Sequence, residues 1–187
     1  MTTTRTFTDN LKTYAELLVA RGCNVQPGEF VQIQFDSGEN EELALLAAEA
    51  AYQAGARHVH LTYQHPRVVR AKLTTGPEDQ RHYVPLYEQQ RVEQLVDSGG
   101  CLLNLLSEPE PNLFSDIPER ITAHQAALKR ARRRFYDEGI NQGKVAWCIA
   151  CPPSQKLAQK VFPELGADEA LAAHWEAVFR MSMADTA

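Results

Sequence analysis

Hydrophobic and polar positions alternate along this chain in two periods, and the switches between them outline its elements. Residues 8 to 21, TDNLKTYAELLVAR, place Leu11, Tyr14, Leu17 and Leu18 on one helical face. Thr8 is expected to cap this helix and Gly22 to end it. Pro27-Gly28 then suits the centre of a type II turn, and FVQIQF follows with Val31, Ile33 and Phe35 alternating against Gln32 and Gln34. NEELALLAAEAAYQAG reads as a second helix, with Glu41 and Glu42 at its positive end and Gly55 past its last turn. A second strand, RHVHLTYQ, comes directly after.

Strand, helix and strand joined by short connections form a parallel pair with a right-handed crossover. From Pro66 to Ser98 the period is helical but interrupted at Gly76-Pro77 and Pro85, and Gly99-Gly100 introduces a third strand, CLLNLLSE. After the proline-marked loop PEPNLFSDIP, a long helix is expected over 118–138, with Pro118 at its first position and Ile121, Leu128 and Phe135 at heptad spacing. VAWCIACPP, bounded by Gly143 and Pro152, is an apolar run of strand length and reads as the central strand, covered on both faces. A short helix capped by Ser154 follows, and DEALAAHWEAVFRMS closes the chain with Leu171, Trp175, Val178 and Phe179 on its apolar face. With no repeat and no linker, residues 1–187 form one α/β domain. The expected fold is a three-layer sandwich with a mostly parallel sheet of at least four strands and helices on both faces.

Composition narrows the function classes. A net charge of -5 argues against a nucleic-acid surface, which needs excess Lys and Arg to displace counterions. The one basic run, KRARRR at 129–134, spreads around its helix and reads as a solvated face. No stretch reaches the roughly 18 apolar residues of a membrane span, and the N-terminus lacks a signal-peptide core, so a cytoplasmic location is expected.

The candidate chemistry is thin. Trp147 precedes C-x-x-C at Cys148 and Cys151, the pattern of a thiol-disulfide oxidoreductase. That mechanism needs a helix starting at the motif, whereas these cysteines lie in a strand, where residues three apart sit about 10 Å apart on opposite faces. A disulfide needs Cα atoms within about 7 Å, so buried structural thiols are expected, with redox and zinc roles as alternatives. Cys23 and Cys101 supply no second close pair. His58 and His60 share one face of the second strand with His65 nearby, but a metal-hydrolase barrel needs about 250 residues and further ligands. With Gln32 and Gln34 they read as a polar sheet face turned to a groove, a partner or another domain. Glycine-rich phosphate loops, nucleophile elbows and zinc-peptidase helices are absent from the sequence.

Several stretches together resemble one family. YAELLVARGCNVQPGEFVQIQF (14–35), AAYQAGARHVHLTY (50–63), DIPERITAHQAALK (116–129), VAWCIACPPSQKLAQKVFP (145–163) and the helix around WEAVF (175–179) are similar, in order and spacing, to the opening half of the thermophilic-type metallo-aminopeptidases, the aminopeptidase T, S and II group. The resemblance implies an enzyme that releases N-terminal residues from peptides with two divalent metal ions, zinc or cobalt. It implies ligands in a C-terminal catalytic domain that has no counterpart here, so no catalytic or metal residue can be assigned to this chain and no cofactor is expected within it. It further implies a homodimer, packing of this domain against the catalytic one, and exposed apolar surface near Trp175 and Phe179. Two alternatives stay open: a stand-alone α/β binding module or degenerate paralogue, and a thiol redox protein acting through Cys148 and Cys151.

Overall fold

In the computed structural model, which describes residues 5–186, four parallel strands form one sheet. They are β1 (Phe30–Phe35), β2 (His58–Tyr63), β3 (Gly100–Leu105) and β4 (Val145–Ala150), in the order β2-β1-β3-β4. All three pairings run in register over six residues, from Phe30 beside His58 and Gly100 to Leu105 beside Ala150. The helices are α1 (Phe7–Leu17), α2 (Glu41–Gln53), α3 (Pro66–Thr75), α4 (Leu86–Ser98), α5 (Pro118–Ala131), α6 (Gln155–Val161) and α7 (Ala167–Ser182).

Strand alternation sorts the core into two layers. Val31, Ile33 and Phe35 of β1 and Cys101, Leu103 and Leu105 of β3 pack against α1, α2 and α7 in the larger cluster. On the opposite face Leu102 and Val145 meet Val92, Leu95 and Val96 of α4 and Phe135 in the smaller one. The fold is the expected α/β sandwich with helices on both faces. Gly100 is required where β3 enters: its φ is +149°, and a Cβ there would lie 2.1 Å from the Phe30 carbonyl oxygen.

Several local expectations change. The cap of α1 is Thr6, not Thr8: its hydroxyl accepts from Asp9 N–H at 3.2 Å while the Asp9 carboxylate accepts from Thr6 N–H at 2.9 Å, a reciprocal capping box. Gly22 does not end the helix. The chain widens into a π-type turn over Leu18–Cys23 and stops at Asn24, in the left-handed region at φ 50°. Gly22 serves packing instead, since a Cβ there would sit 2.7 Å from Cys148 Sγ. The helix expected over 118–138 ends at Ala131, and a second widened turn runs over Phe135–Ile140. Ser154, Pro118 and the Glu41-Glu42 pair occupy the helix-start positions expected of them.

The larger correction concerns β4, which is an edge strand and not the centre of the sheet. Its apolar run resembles a doubly covered strand, but Trp147 and Ile149 are each 51% exposed. The interior places fall to β1 and β3, because strand order is set by crossover connections and not by the hydrophobicity of any one strand.

Candidate functional site

In an open parallel sheet the crevice outside the carboxyl ends of the strands, where the order reverses, is the usual ligand position. Here the order reverses between β1, whose crossover runs outward to β2, and β3, whose crossover runs the other way to β4. The loops that follow these strands bring together Asp36, Ser37, Asn40, Ser107 and Ser154, separated by over a hundred residues in sequence.

This crevice is occupied by the chain's own side chains. The Asp36 carboxylate accepts the backbone N–H groups of Ser107 at 2.8 Å and Glu108 at 3.3 Å. Glu108 has φ 45°, so the successive amides of Ser107 and Glu108 form a concave nest of the kind that binds anions, and the carboxylate of Asp36, just past β1, fills it. Asn40, 1% exposed, donates from Nδ2 to Ser107 Oγ at 2.7 Å and to the Pro153 carbonyl at 3.1 Å. Ser154 Oγ donates to the Ser107 carbonyl at 2.9 Å, and Gln155 N–H donates to Glu39 at 2.7 Å. Together these bonds tie the loops after β1, β3 and β4 into one unit. The arrangement braces the sheet, with the Asp36 carboxylate accepting from both amides of the nest.

The polar face foreseen on β1 and β2 divides. Gln32 and Gln34 are buried beneath α4, where Gln32 Nε2 donates to the Arg91 carbonyl, so they are not solvated. His58 and His60 are exposed at the β2 edge and line, with Phe30, Gln32, Tyr87 and Arg91, an open groove of about 340 Å³. Partial loss of solvent on its groove side and the nearby Arg91 guanidinium hold the His60 imidazole below its ordinary pKa. His65 is drawn away to cap α3, its Nδ1 accepting from Arg67 N–H at 3.2 Å. Among the described residues no three His, Cys, Asp or Glu side chains are placed to hold a metal ion, so a metal pair has no fitting donor set here.

All four cysteines are free thiols. Cys148 turns toward α1 beside Cys23, and hydrogen bonding to that thiol together with burial pushes its pKa above the ordinary range. Cys151, expected to be buried, is exposed just past β4. No helix begins between them, since Pro152-Pro153 separates the motif from α6, so neither thiol gains the helix-dipole activation of a redox site.

KRARRR is largely neutralised by ion pairs: Arg132 with Glu88 at 2.5 Å, Arg133 with Asp137 at 3.0 Å, and Arg134 with Asp97 at 2.5 Å. Trp175 and Phe179 are buried, not exposed. Their rings lie 5.2 Å apart and meet Phe7 and Tyr14 of α1, joining the first helix to the last. Exposed apolar surface does lie beside them, at Phe7, whose ring packs on both, and at Met181 and Met183, and a further patch lies on β4 at Trp147 and Ile149. Asp36, Asn40 and Ser107 escaped sequence reasoning. Their signal, short polar residues directly after two strands, becomes specific only when the strand order is known.

Comparison with known proteins agrees with this fold. The profile of a family described as thermophilic metalloprotease (M29) matches residues 7–187. The chain is 32% identical to aminopeptidase PepS of Streptococcus thermophilus over 176 residues, which is 93% of this chain and 42% of that protein. It is 32% identical to aminopeptidase 2 of Geobacillus stearothermophilus, covering 94% of this chain and 42% of the relative. The solved structure of wild-type AmpT from Thermus thermophilus superposes with a TM-score of 0.82 at 27% identity, over 93% of this chain and 43% of that one. The chain thus spans less than half the length of the relatives it matches. In the described residues no helix is long and apolar enough to cross a membrane.

Proposed function

Since the chain belongs to the thermophilic metalloprotease (M29) family, we propose that it serves as the N-terminal, non-catalytic domain of a metal-dependent aminopeptidase acting on peptides. The observation that carries this reading is the extent of the match: nearly all of this chain corresponds to about 42% of each relative. The self-occupied crevice at the sheet's switch point supports it, because the usual ligand position of such a fold is taken by Asp36 and Asn40.

In this reading the two divalent ions, zinc or cobalt, and the residues that bind them belong to the part of the relatives that this chain does not match. The side chains here do not fit such a pair, so no hydrolytic step is assigned to them. The domain's contribution is a rigid wall against the catalytic part, helping to enclose the peptide, in an enzyme that acts as a homodimer.

The test is a chimera in which this chain replaces the part of Streptococcus thermophilus PepS that it matches. Release of 4-nitroaniline from amino-acid anilides is expected from the chimera with cobalt or zinc, and from the isolated chain not at all. Chelator-sensitive release by the isolated chain, or a folded chimera without activity, would overturn the reading.

A further inference from the structure

The two edges of the sheet are treated differently. On β2 the face toward α4 carries His58, His60 and Thr62, and at the strand's edge the Val59 N–H is met by the Tyr52 hydroxyl at 3.2 Å. Polar side chains and a capped amide are the devices by which an edge strand is kept from pairing. β4, VAWCIA, has none of them: no charge, no proline, no bulge, and its outer N–H and C=O groups face away from β3. Register places Trp147 beside Leu102 and Ile149 beside Asn104, on the face carrying α4. The α4 layer and Phe135 cover only the start of the strand at Val145. Trp147 and Ile149 are left half exposed side by side, although parallel sheets are ordinarily covered on both faces.

We infer that the β4 edge and the Trp147–Ile149 face are the seat on which the remaining part of an M29 chain docks, through an extended apolar segment laid beside β4 with aliphatic or aromatic side chains over Trp147 and Ile149. This rests on the domain reading above. The occupant follows from two observations. The same fold is solved as 43% of a longer chain, so more than half of that chain lies outside the matched region. A segment tethered on the same polypeptide also binds at a high effective concentration, whereas a second copy bears the full entropic cost of association. The open strand edge supplies main-chain hydrogen bonds, and the two side chains supply the apolar contact, as in recognition by strand addition.

The experiment compares the isolated chain with the PepS chimera by amide hydrogen exchange and by acrylamide quenching of Trp147, taken as the difference from the W147K variant of each, and follows the melting temperature of each with W147K and I149K. Exchange at the outward β4 amides is expected to slow about tenfold or more in the chimera, with Trp147 shielded from quencher. Both variants should lower the chimera's melting temperature while leaving that of the isolated chain nearly unchanged. An active chimera whose β4 exchange and Trp147 quenching match the isolated chain overturns the docking seat and leaves the domain reading standing. A folded, inactive chimera with β4 protected overturns the domain reading and leaves the seat. An isolated chain that dimerises, and becomes monomeric with W147K, overturns the assigned occupant in favour of a second copy.

Discussion

The Asp36 carboxylate accepts the backbone N–H of Ser107 at 2.8 Å, joining the end of β1 to the end of β3 where the strand order reverses. The same carboxylate reaches Glu108 N–H, so one side chain satisfies two successive amides. Replacing Asp36 with Ala leaves both without their acceptor; the exposed Glu108 amide can turn to water, whereas Ser107 is buried, and a buried unpaired donor costs about 1–3 kcal/mol. D36A should therefore lower the unfolding free energy in urea by about that amount. A D36A protein as stable as wild type would show that water replaces the carboxylate freely and that the crevice is not braced by it.

Gly22 and Cys148 test the packing of α1's widened last turn on β4. A methyl at residue 22 would lie 2.7 Å from Cys148 Sγ, inside contact distance. Overpacking of this kind costs about 1–3 kcal/mol, so G22A should destabilise and G22A/C148A should recover much of the loss, measured as a double-mutant cycle. Thiol labelling of the native wild type should modify Cys151 first, the half-buried Cys148 more slowly, and Cys23 and Cys101 only as the fold opens. Additive effects of the two substitutions would rule out the contact.

The two tryptophans should respond in opposite ways. Trp175 is 7% exposed within an aromatic cluster, and W175A should cost about 3–5 kcal/mol in the isolated chain. Trp147 is half exposed, and W147A should stay within about 0.5 kcal/mol of wild type. Chemical denaturation of both variants checks this, and a large loss from W147A would mean that the β4 face is covered within this chain.

Acid should weaken the fold through its buried histidines. Burial, reinforced by the positive charges of Lys72, His82 and Arg132, holds the His124 imidazole below its ordinary pKa, and burial does the same for His174. The unfolded chain takes up protons near pH 6.5, before the folded one does. Stability is therefore fully present above about pH 6.5 and is lost as pH falls from there through the depressed folded values. The ion-paired carboxylates Asp97, Glu110, Glu138 and Asp116, the last held down to about 2 by Arg70, act with the same sign only below the ordinary carboxylate range. Melting temperature should decline between pH 7 and 5, and H124Q should flatten part of that decline. An unchanged slope in H124Q would remove His124 as a cause.

Much of the fold was legible because local physics carried it. Period-two alternation marked β1, short strand–helix–strand spacing marked parallel pairing, and Ser154 and Pro118 marked helix starts. The family was legible too, since five stretches in register survive from 27–32% identical relatives. What misled were residues whose role depends on a distant partner. Gln32 and Gln34 look solvated until α4 closes over them, and Gly22 looks like a helix stop until Cys148 arrives beneath it.

The sequence by itself determined the alternation of strands and helices, the α/β class, and the kinship with M29 enzymes, because these are written in side-chain periodicity and in residue order. Only the tertiary structure decided that VAWCIA is an edge, that Trp175 is buried while Trp147 is half exposed, and that Asp36 fills the nest at Ser107 and Glu108. Hydrophobicity along a strand states that its side chains avoid water, and strand order states which surface is available to cover them. For β4 that surface is not supplied by the residues described here, which is why its most apolar strand is also its open edge.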